Sequence, residues 1–197
     1  MFMAKAPAAY LLRLMRTETG HLMNVWKQLR AILLLPGTVT VVIPAIILHF
    51  AGMHWLLPPW TVAVLATGSI LVLLGLTLMA TTITLFVTVG KGTLAPWEPT
   101  QKLVVRGVYR HVRNPMITGV FCVLLGEAVF FGSLWLLGWS TVFLVVNLIY
   151  IPAFEEPGLV SRFGDDYLLY KQNVPRWIPR WIPWEGLSQQ DTATQQG

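Results

Sequence analysis

The chain has 197 residues, of which 55% are apolar and 12% are charged, and its formal net charge is +5. This composition, with a mean hydropathy of +0.62, excludes an ordinary soluble domain and indicates an integral membrane protein. The single cysteine, Cys122, excludes an internal disulfide and a thiolate zinc cage, and its apolar neighbours favour a packing role.

Residues 1–30 contain no compact apolar core followed by a small-residue cleavage site, so we expect no cleavable signal peptide. Apolar residues recur there at helical spacing, with basic residues between them. This pattern predicts an amphipathic helix lying on an anionic membrane surface. A cytosolic helix packed on the rest of the protein is the alternative interpretation.

Two long uncharged runs follow, residues 31–51 and 60–89. At ~1.5 Å per residue the first run reaches about 30 Å, which matches the hydrocarbon core of a bilayer. The second run is longer, roughly 45 Å, so we expect it to tilt or to project beyond the bilayer at its Thr84 to Gly90 end. These runs predict transmembrane helices one and two.

Residues 115–154 carry a single charge, Glu127, and are interrupted by Gly132-Ser133, so they predict a tight hairpin of two further spans. An acid inside a membrane usually marks a functional site. The structural alternative is a protonated Glu127 hydrogen-bonded across the hairpin to Ser140 or Thr141, which we expect at the same depth.

The basic residues predict the orientation. All 14 Lys and Arg lie in residues 1–30, 90–114 and 154–197, and none lies in 52–59 or 132–133. By the positive-inside rule both termini and the central loop face the cytoplasm. We therefore expect an all-α membrane protein with about four transmembrane helices, both termini cytoplasmic, and interfacial helices at the N- and C-terminal ends.

The stretch RGVYRHVRNPMITG, residues 106–119, places basic residues where the chain re-enters the membrane. Asn114-Pro115 suits a helix start, with asparagine as the cap and proline in the first turn. The free backbone amides of that turn are able to hold an anion or a polar ligand.

A second polar segment, residues 155–179, begins where the fourth span is predicted to end. Glu155 or Glu156 is a natural partner for Arg113, and such a pair would join the C-terminal helix to the loop. Leu159, Phe163, Tyr167 and Tyr170 recur at helical spacing, which indicates one apolar, aromatic face. That face is able to stack against a nucleobase if the segment binds a nucleoside.

The chain resembles the isoprenylcysteine carboxyl methyltransferase and phospholipid methyltransferase family, in a small bacterial-type version. Four elements in order carry this resemblance: GVYRHVRNPM, a hairpin of about forty residues, EExxLxxxFGxxYxxY and VPRWIP. The resemblance covers roughly residues 90–180. It implies a methyl transfer from S-adenosylmethionine, bound on the cytoplasmic side of a bacterial inner membrane, to a lipid-like or prenyl-type substrate from the bilayer.

The resemblance also implies site residues. Arg113 and Glu156 correspond to the motif arginine and the second glutamate, which we assign as catalytic. The residues expected to hold the methyl donor are Gln101, Lys102, Leu103, Val104, Tyr109, Asn114, Pro115, Met116, Ile117 and Glu155.

Three positions depart from the family pattern. The family histidine is Asn114 here and its tyrosine is Ile117, and asparagine is unable to act as a base. The prenylcysteine enzymes carry a basic residue for the substrate carboxylate where this chain has Ile151. The last difference counts against a prenylcysteine carboxylate as the natural acceptor.

The remaining features divide the chain into an N-terminal segment 1–30, transmembrane helices 31–89, a methyltransferase-like core 90–187 and a disordered polar tail 188–197. The doubled RWIPRWIP of 176–183 predicts an interfacial arm, or alternatively a cover over the donor pocket. Four scattered histidines make a metal site unexpected, and the spread of basic residues disfavours nucleic-acid binding.

Two other functions fit parts of this pattern. One is a nicotinamide-dependent membrane reductase, because some sterol reductases have a C-terminal architecture similar to that of this chain. The sequence contains no Gly-rich dinucleotide fingerprint, however. A non-enzymatic membrane accessory protein is the other alternative, and it would bind neither cofactor.

Overall fold

A computed structural model describes residue 30 and residues 33–51, 61–90 and 100–186. The predicted N-terminal amphipathic helix and polar tail lie outside these described residues. Every regular element in the described part is helical. The all-α prediction is therefore confirmed for this part of the chain.

Five helices make up this part. Helix α1 begins as a π-helix, Leu33–Val42, and continues as an α-helix over Ile43–Ala51. Helix α2 spans Thr61–Leu85 and ends in a π-helical turn, Phe86–Gly90. Helices α3 and α4 span Pro115–Phe130 and Leu134–Tyr150, and α5 spans Glu156–Asn173 with a break at Gly164, where φ is 55°. A short 3₁₀ turn, Gly107–Arg110, precedes α3.

Three of these helical stretches are long and apolar enough to cross a membrane: Leu34–Ala51, Thr61–Gly90 and Leu134–Asn173. The fourth predicted span is the shorter apolar helix α3, whose 16 residues reach only about 24 Å. The turn between α3 and α4 falls at the predicted Gly132-Ser133, where Gly132 has φ of 57° and the Ser133 side chain caps α4. The count of four spans and the orientation stay predictions.

Helices α2 and α3 pack most extensively, because glycines let their backbones approach closely. Gly75 lies against Gly119, and Gly68 lies against Gly126, so two glycines seven residues apart on each helix face one another. A Cβ atom built at Gly75 would stand 2.5 Å from the Gly119 carbonyl oxygen. Lipid tails are as apolar as the helices, so close packing of this kind is what drives helix association in a membrane.

A small apolar core lies beside this contact. Met79 of α2 packs with Val120, Val123 and Leu124 of α3, and Trp139 and Phe143 of α4 pack against that cluster. The Trp139 indole donates a hydrogen bond to the Val39 carbonyl at 3.2 Å, which ties α4 to α1. The rest of the helix surfaces expose large apolar side chains, as lipid contact requires.

Helices α4 and α5 are joined by a π-helical turn, Ile151–Glu155, that contains Pro152. The Glu156 amide donates to the Ile151 carbonyl, a bond that spans five residues and closes this wider turn. Proline supplies no amide hydrogen, which favours such local rearrangement. The turn carries the chain from the apolar helix α4 into the polar helix α5 and determines where Glu155 and Glu156 point.

Substitution of Gly75 by alanine tests the α2–α3 contact. We expect Gly75→Ala to lower the stability by about 1–3 kcal/mol, because the added methyl group overpacks two backbones. Gly138→Ala is the matched control, since a Cβ at Gly138 meets no atom within 4 Å. It should leave stability unchanged or raise it by about 0.5–1 kcal/mol. Thermal unfolding in detergent measures both, and equal effects would contradict this packing.

Candidate functional site

The loop before α3 is fixed to the helices at several points. The amides of Gln101 and Lys102 donate to the Gly90 carbonyl at the end of α2. Tyr109 is buried and stacks on Phe86 with the ring centroids 5.6 Å apart. The Tyr170 hydroxyl of α5 donates to the Tyr109 carbonyl at 2.7 Å. These contacts bring the loop, the end of α2 and α5 together at one end of the helices, which we call the basic end.

Glu156 is the centre of an ion-pair cluster at the basic end, which consists of Arg113, Glu156, Tyr167, Lys171 and Arg176. Glu156 Oε1 accepts from Arg113 at 2.8 Å and from Arg176 at 2.7 Å, and Glu156 Oε2 pairs with Lys171 at 2.8 Å. The side chains of Arg113 and Glu156 are 8% and 3% exposed. The Glu156 ion-pair cluster therefore binds the loop, α5 and the following arm with buried charge.

The surroundings of Glu156 act on its pKa in opposite directions. Burial raises the pKa, while hydrogen bonds from Arg176 and Lys171 and the charge of Arg113 lower it, and the balance brings it from 4.5 to about 2. Glu156 is consequently ionised at neutral pH, with both oxygens engaged. A carboxylate in this state stabilises the local structure and has little remaining capacity to accept a proton from a substrate.

The arm after α5 lies along the loop. The Arg113 and Arg180 amides donate to the Pro175 and His111 carbonyls, and the Trp184 amide donates to the Arg110 carbonyl, at 2.9–3.0 Å. The Arg113 guanidinium also donates to the Val174 carbonyl at 2.9 Å. Trp181 is 98% exposed, in agreement with a tryptophan at an interface. The arm is thus an ordered part of the basic end.

Helix α3 begins at Pro115 with Asn114 as its N-cap residue, as expected, but the Asn114 side chain does not hydrogen-bond to the first turn. Asn114 has φ of −120° and ψ of 53°, and its carbonyl accepts from the Thr118 amide. Its Nδ2 atom is buried and has no hydrogen-bond partner among the described residues. A buried donor without a partner is unfavourable, so Nδ2 is suited to a ligand that supplies an acceptor.

Glu155 differs sharply from its neighbour. Its side chain is exposed, and it forms no ion pair or hydrogen bond with any described residue. Enough protein surrounds it that desolvation, together with the charge of Glu156, raises its pKa. Successive helical residues point about 100° apart, which explains why Glu156 enters the cluster while Glu155 remains accessible. Glu155 is therefore the carboxylate at the basic end that is available to a ligand.

The aromatic face of α5 is largely core, which corrects the suggestion that it stacks on a nucleobase. Tyr167 and Tyr170 are each 3% exposed and form an apolar cluster with Val174. Leu103, Val105 and Trp184 pack against this cluster, as do the partly buried Leu159 and Phe163. The two tyrosine rings are therefore occupied by contacts within the protein.

The other residues expected to hold the donor are spread over the basic end. Gln101 and Lys102 are exposed, whereas Val104 and Pro115 are buried. Met116 is partly buried, and its sulfur accepts a hydrogen bond from Thr82 of α2 at 3.1 Å. Ile117 is also partly buried in the first turn of α3. Within the predicted set, the groups best suited to a ligand are thus the accessible Glu155 carboxylate and the unpartnered Asn114 Nδ2 atom.

The sequence did not predict two members of the Glu156 ion-pair cluster. Arg176 and Lys171 bind Glu156, although only Arg113 was expected to do so. Lys171 lies fifteen residues after Glu156, about 22 Å along a straight helix, so helical spacing gives no signal for this pair. The pair forms because the backbone of α5 is broken at Gly164, which has φ of 55° and ψ of −132°. Arg176 follows the helix end, and its position depends on how the arm folds back.

Glu127 does not form the expected hydrogen bond across the hairpin. The Ser140 and Thr141 hydroxyls instead donate to the Leu137 carbonyl of their own helix, both at 2.8 Å. Glu127 Oε2 is buried and has no partner among the described residues. Within the same residues, no group of three or more His, Cys, Asp or Glu side chains is placed to hold a metal ion.

Comparison with known proteins finds relatives that match part of the chain. The chain is 37% identical over 83 residues to the protein-S-isoprenylcysteine O-methyltransferase of Schizosaccharomyces pombe, covering 39% of this chain and 33% of that enzyme. It is 42% identical over 64 residues to an uncharacterised protein of Haemophilus influenzae, covering 32% of this chain and all of the relative. The chain thus spans about a third of the length of the yeast enzyme. No solved structure matches it.

The family model for phospholipid methyltransferases matches residues 64–166, just over half of the chain. This range contains most of α2, the loop, the α3–α4 hairpin, the Glu155-Glu156 pair and the first part of α5. The chain belongs to the phospholipid methyltransferase family.

Proposed function

We propose that the chain is a membrane methyltransferase that binds S-adenosylmethionine at the basic end, on the cytoplasmic side, and methylates a lipid-like acceptor from the bilayer. The observation that carries this proposal is the accessible carboxylate of Glu155. Its neighbour in sequence, Glu156, is held in place by the Glu156 ion-pair cluster. When bound, S-adenosylmethionine supplies an electrophilic methyl group on a sulfonium, and its transfer leaves a neutral thioether.

The residues at the basic end fit the polar parts of this donor. Glu155 is able to accept hydrogen bonds from ribose hydroxyls or to pair with the ammonium group. The Asn114 Nδ2 atom needs an acceptor, and the Met116 and Ile117 amides lie in the first turn of α3, where backbone donors have no partner within the helix. These donors suit the carboxylate or a base nitrogen of the same molecule.

We assign Arg113 and Glu156 a positioning role in place of direct catalysis. Their side chains are buried and bonded to one another, and each is next in sequence to a proposed donor-binding residue. The cluster holds Asn114 and Glu155 in a fixed relation, as alignment for an in-line methyl transfer requires. Because asparagine is unable to act as a base, we propose that the reaction needs no base from this position.

The acceptor class follows from the position of the site. A polar donor and an apolar acceptor meet most readily where the helices enter the bilayer, and this is where α3 begins and α4 ends. Ile151, the position at which the prenylcysteine enzymes carry a basic residue, is only 1% exposed here. We therefore propose an acceptor other than a prenylcysteine carboxylate.

Titration with S-adenosylhomocysteine tests the donor site. We expect the detergent-purified protein to bind this product, and Glu155→Gln to weaken binding about tenfold or more, because a hydrogen bond to a charged group is lost. The matched control is Asp166→Asn, which removes an exposed carboxylate from α5. Isothermal titration calorimetry measures all three proteins.

The absence of binding by folded wild-type protein would contradict the methyltransferase proposal. If the wild type instead bound NADPH, the reductase alternative would replace it. Equal weakening by Glu155→Gln and Asp166→Asn would show that Glu155 is not the specific contact.

The positioning role of Glu156 predicts a pH dependence of stability. Its pKa is lower in the folded protein, so the stabilisation is fully present above about pH 4.5 and is lost as the pH falls towards about 2. In Glu156→Gln this dependence should disappear. The variant should also be less stable at pH 7 by about 3–5 kcal/mol, since the buried Arg113 guanidinium loses its carboxylate partner.

The difference in unfolding temperature between wild type and Glu156→Gln, measured from pH 7 to pH 3, reports this effect. Glu155 is present in both proteins, so its own titration largely cancels in the difference. A difference that stays constant over this range would show that Glu156 does not carry the proposed ion pairs.

A further inference from the structure

A groove runs between α2 and α3 at the end of α3 remote from the basic end. Its volume is about 470 Å³, within the range of small-molecule sites. The lining residues are mostly apolar and include one carboxylate: Ser69, Val72, Leu73, Glu127, Phe130 and Phe131. The groove is therefore largely apolar and contains one ionisable side chain, Glu127.

That polar position lacks a partner. Glu127 Oε2 is buried without a hydrogen bond from any described residue. The hydroxyls on the facing helix α4 are bonded to their own backbone and do not reach it. A carboxyl group within the membrane is unfavourable unless it is paired, so a donor that enters the groove from the bilayer would relieve the cost.

Aromatic rings lie next to this carboxyl. Phe130 and Phe131 both line the groove, and their rings meet edge to face with centroids 5.1 Å apart. An ammonium group is attracted both to a carboxylate and to the faces of aromatic rings, whereas a neutral hydroxyl group gains much less from the rings. The combination of Glu127 with two phenylalanines thus favours a cation.

We propose that the groove between α2 and α3 binds a long-chain amine, with its ammonium group at Glu127 and the phenylalanine rings and its hydrocarbon chain along Val72 and Leu73. The Ser69 hydroxyl offers a further hydrogen-bonding group on the wall. The bound amine is an amphiphile that lies in the membrane beside the protein.

This site is separate from the proposed methyl donor site. Glu127 lies twelve residues beyond Pro115 on the same helix, which corresponds to about 18 Å. An ammonium group held at Glu127 is therefore out of reach of a methyl group at the basic end, so the amine is a ligand and not the acceptor. The inference is independent of the proposed methyltransferase activity.

Spin-label spectroscopy of the protein in phosphatidylcholine bilayers tests this inference. The probes are a spin-labelled octadecylamine and the octadecanol with the same label, and the motionally restricted fraction of each gives its association with the protein. We expect the wild type to prefer the amine over the alcohol by about tenfold, the ratio for one hydrogen bond to a charged group. In Glu127→Gln this preference should disappear.

Two further variants make the test specific. Ser69→Leu retains the carboxyl group but fills the groove, so it should also abolish the preference, and it serves if Glu127→Gln does not fold. Asp165→Asn removes an exposed carboxylate from α5 and should retain the preference. Equal association of the two probes with the wild type would overturn the proposal. A preference for the amine that persists in a folded Glu127→Gln or Ser69→Leu variant would also overturn the proposal.

Discussion

The arrangement of the basic end depends on one buried carboxylate. Glu156 accepts from Arg113 of the loop, Arg176 of the arm and Lys171 of the second part of α5, so it joins the loop to a segment more than forty residues later in the chain. Removing one partner would leave buried charge unpaired, which is far less favourable than losing a surface ion pair. Asn114 and Glu155, the proposed ligand contacts, are each next in sequence to a member of this ion-pair cluster.

This arrangement separates two requirements that a membrane enzyme must satisfy together. The helices pack through glycines and expose apolar side chains to lipid, while the polar chemistry is confined to the end where the loop, α5 and the arm meet. The π-helical turn at Ile151–Glu155 lies at the boundary between these regions and directs one glutamate inward and the other outward. A polar donor and an apolar acceptor can then approach the same place from opposite sides.

The apolar helices could be predicted from the sequence, because the length and the hydropathy of apolar runs identify membrane helices directly. The hairpin break at Gly132-Ser133 and the pairing of Arg113 with one of two glutamates followed from local signals. The predictions of a free aromatic face on α5 and of a Glu127 hydrogen bond across the hairpin were wrong, because each depends on which way a side chain turns in the packed structure. The contribution of Arg176 depends on the path of the arm, which no local pattern encodes. The facing glycines of α2 and α3 were visible in the sequence as pairs seven residues apart, but they were not recognised as a packing signal.

The central claim is that the methyl donor binds at the basic end. Ultraviolet cross-linking of S-adenosylmethionine with a tritiated methyl group, followed by mapping of the labelled peptides, tests it most directly. Our account predicts label within residues 100–117 or 151–176, and loss of that label in the presence of excess S-adenosylhomocysteine. Competable label confined to α1, or to the part of α2 remote from Gly90, would contradict it.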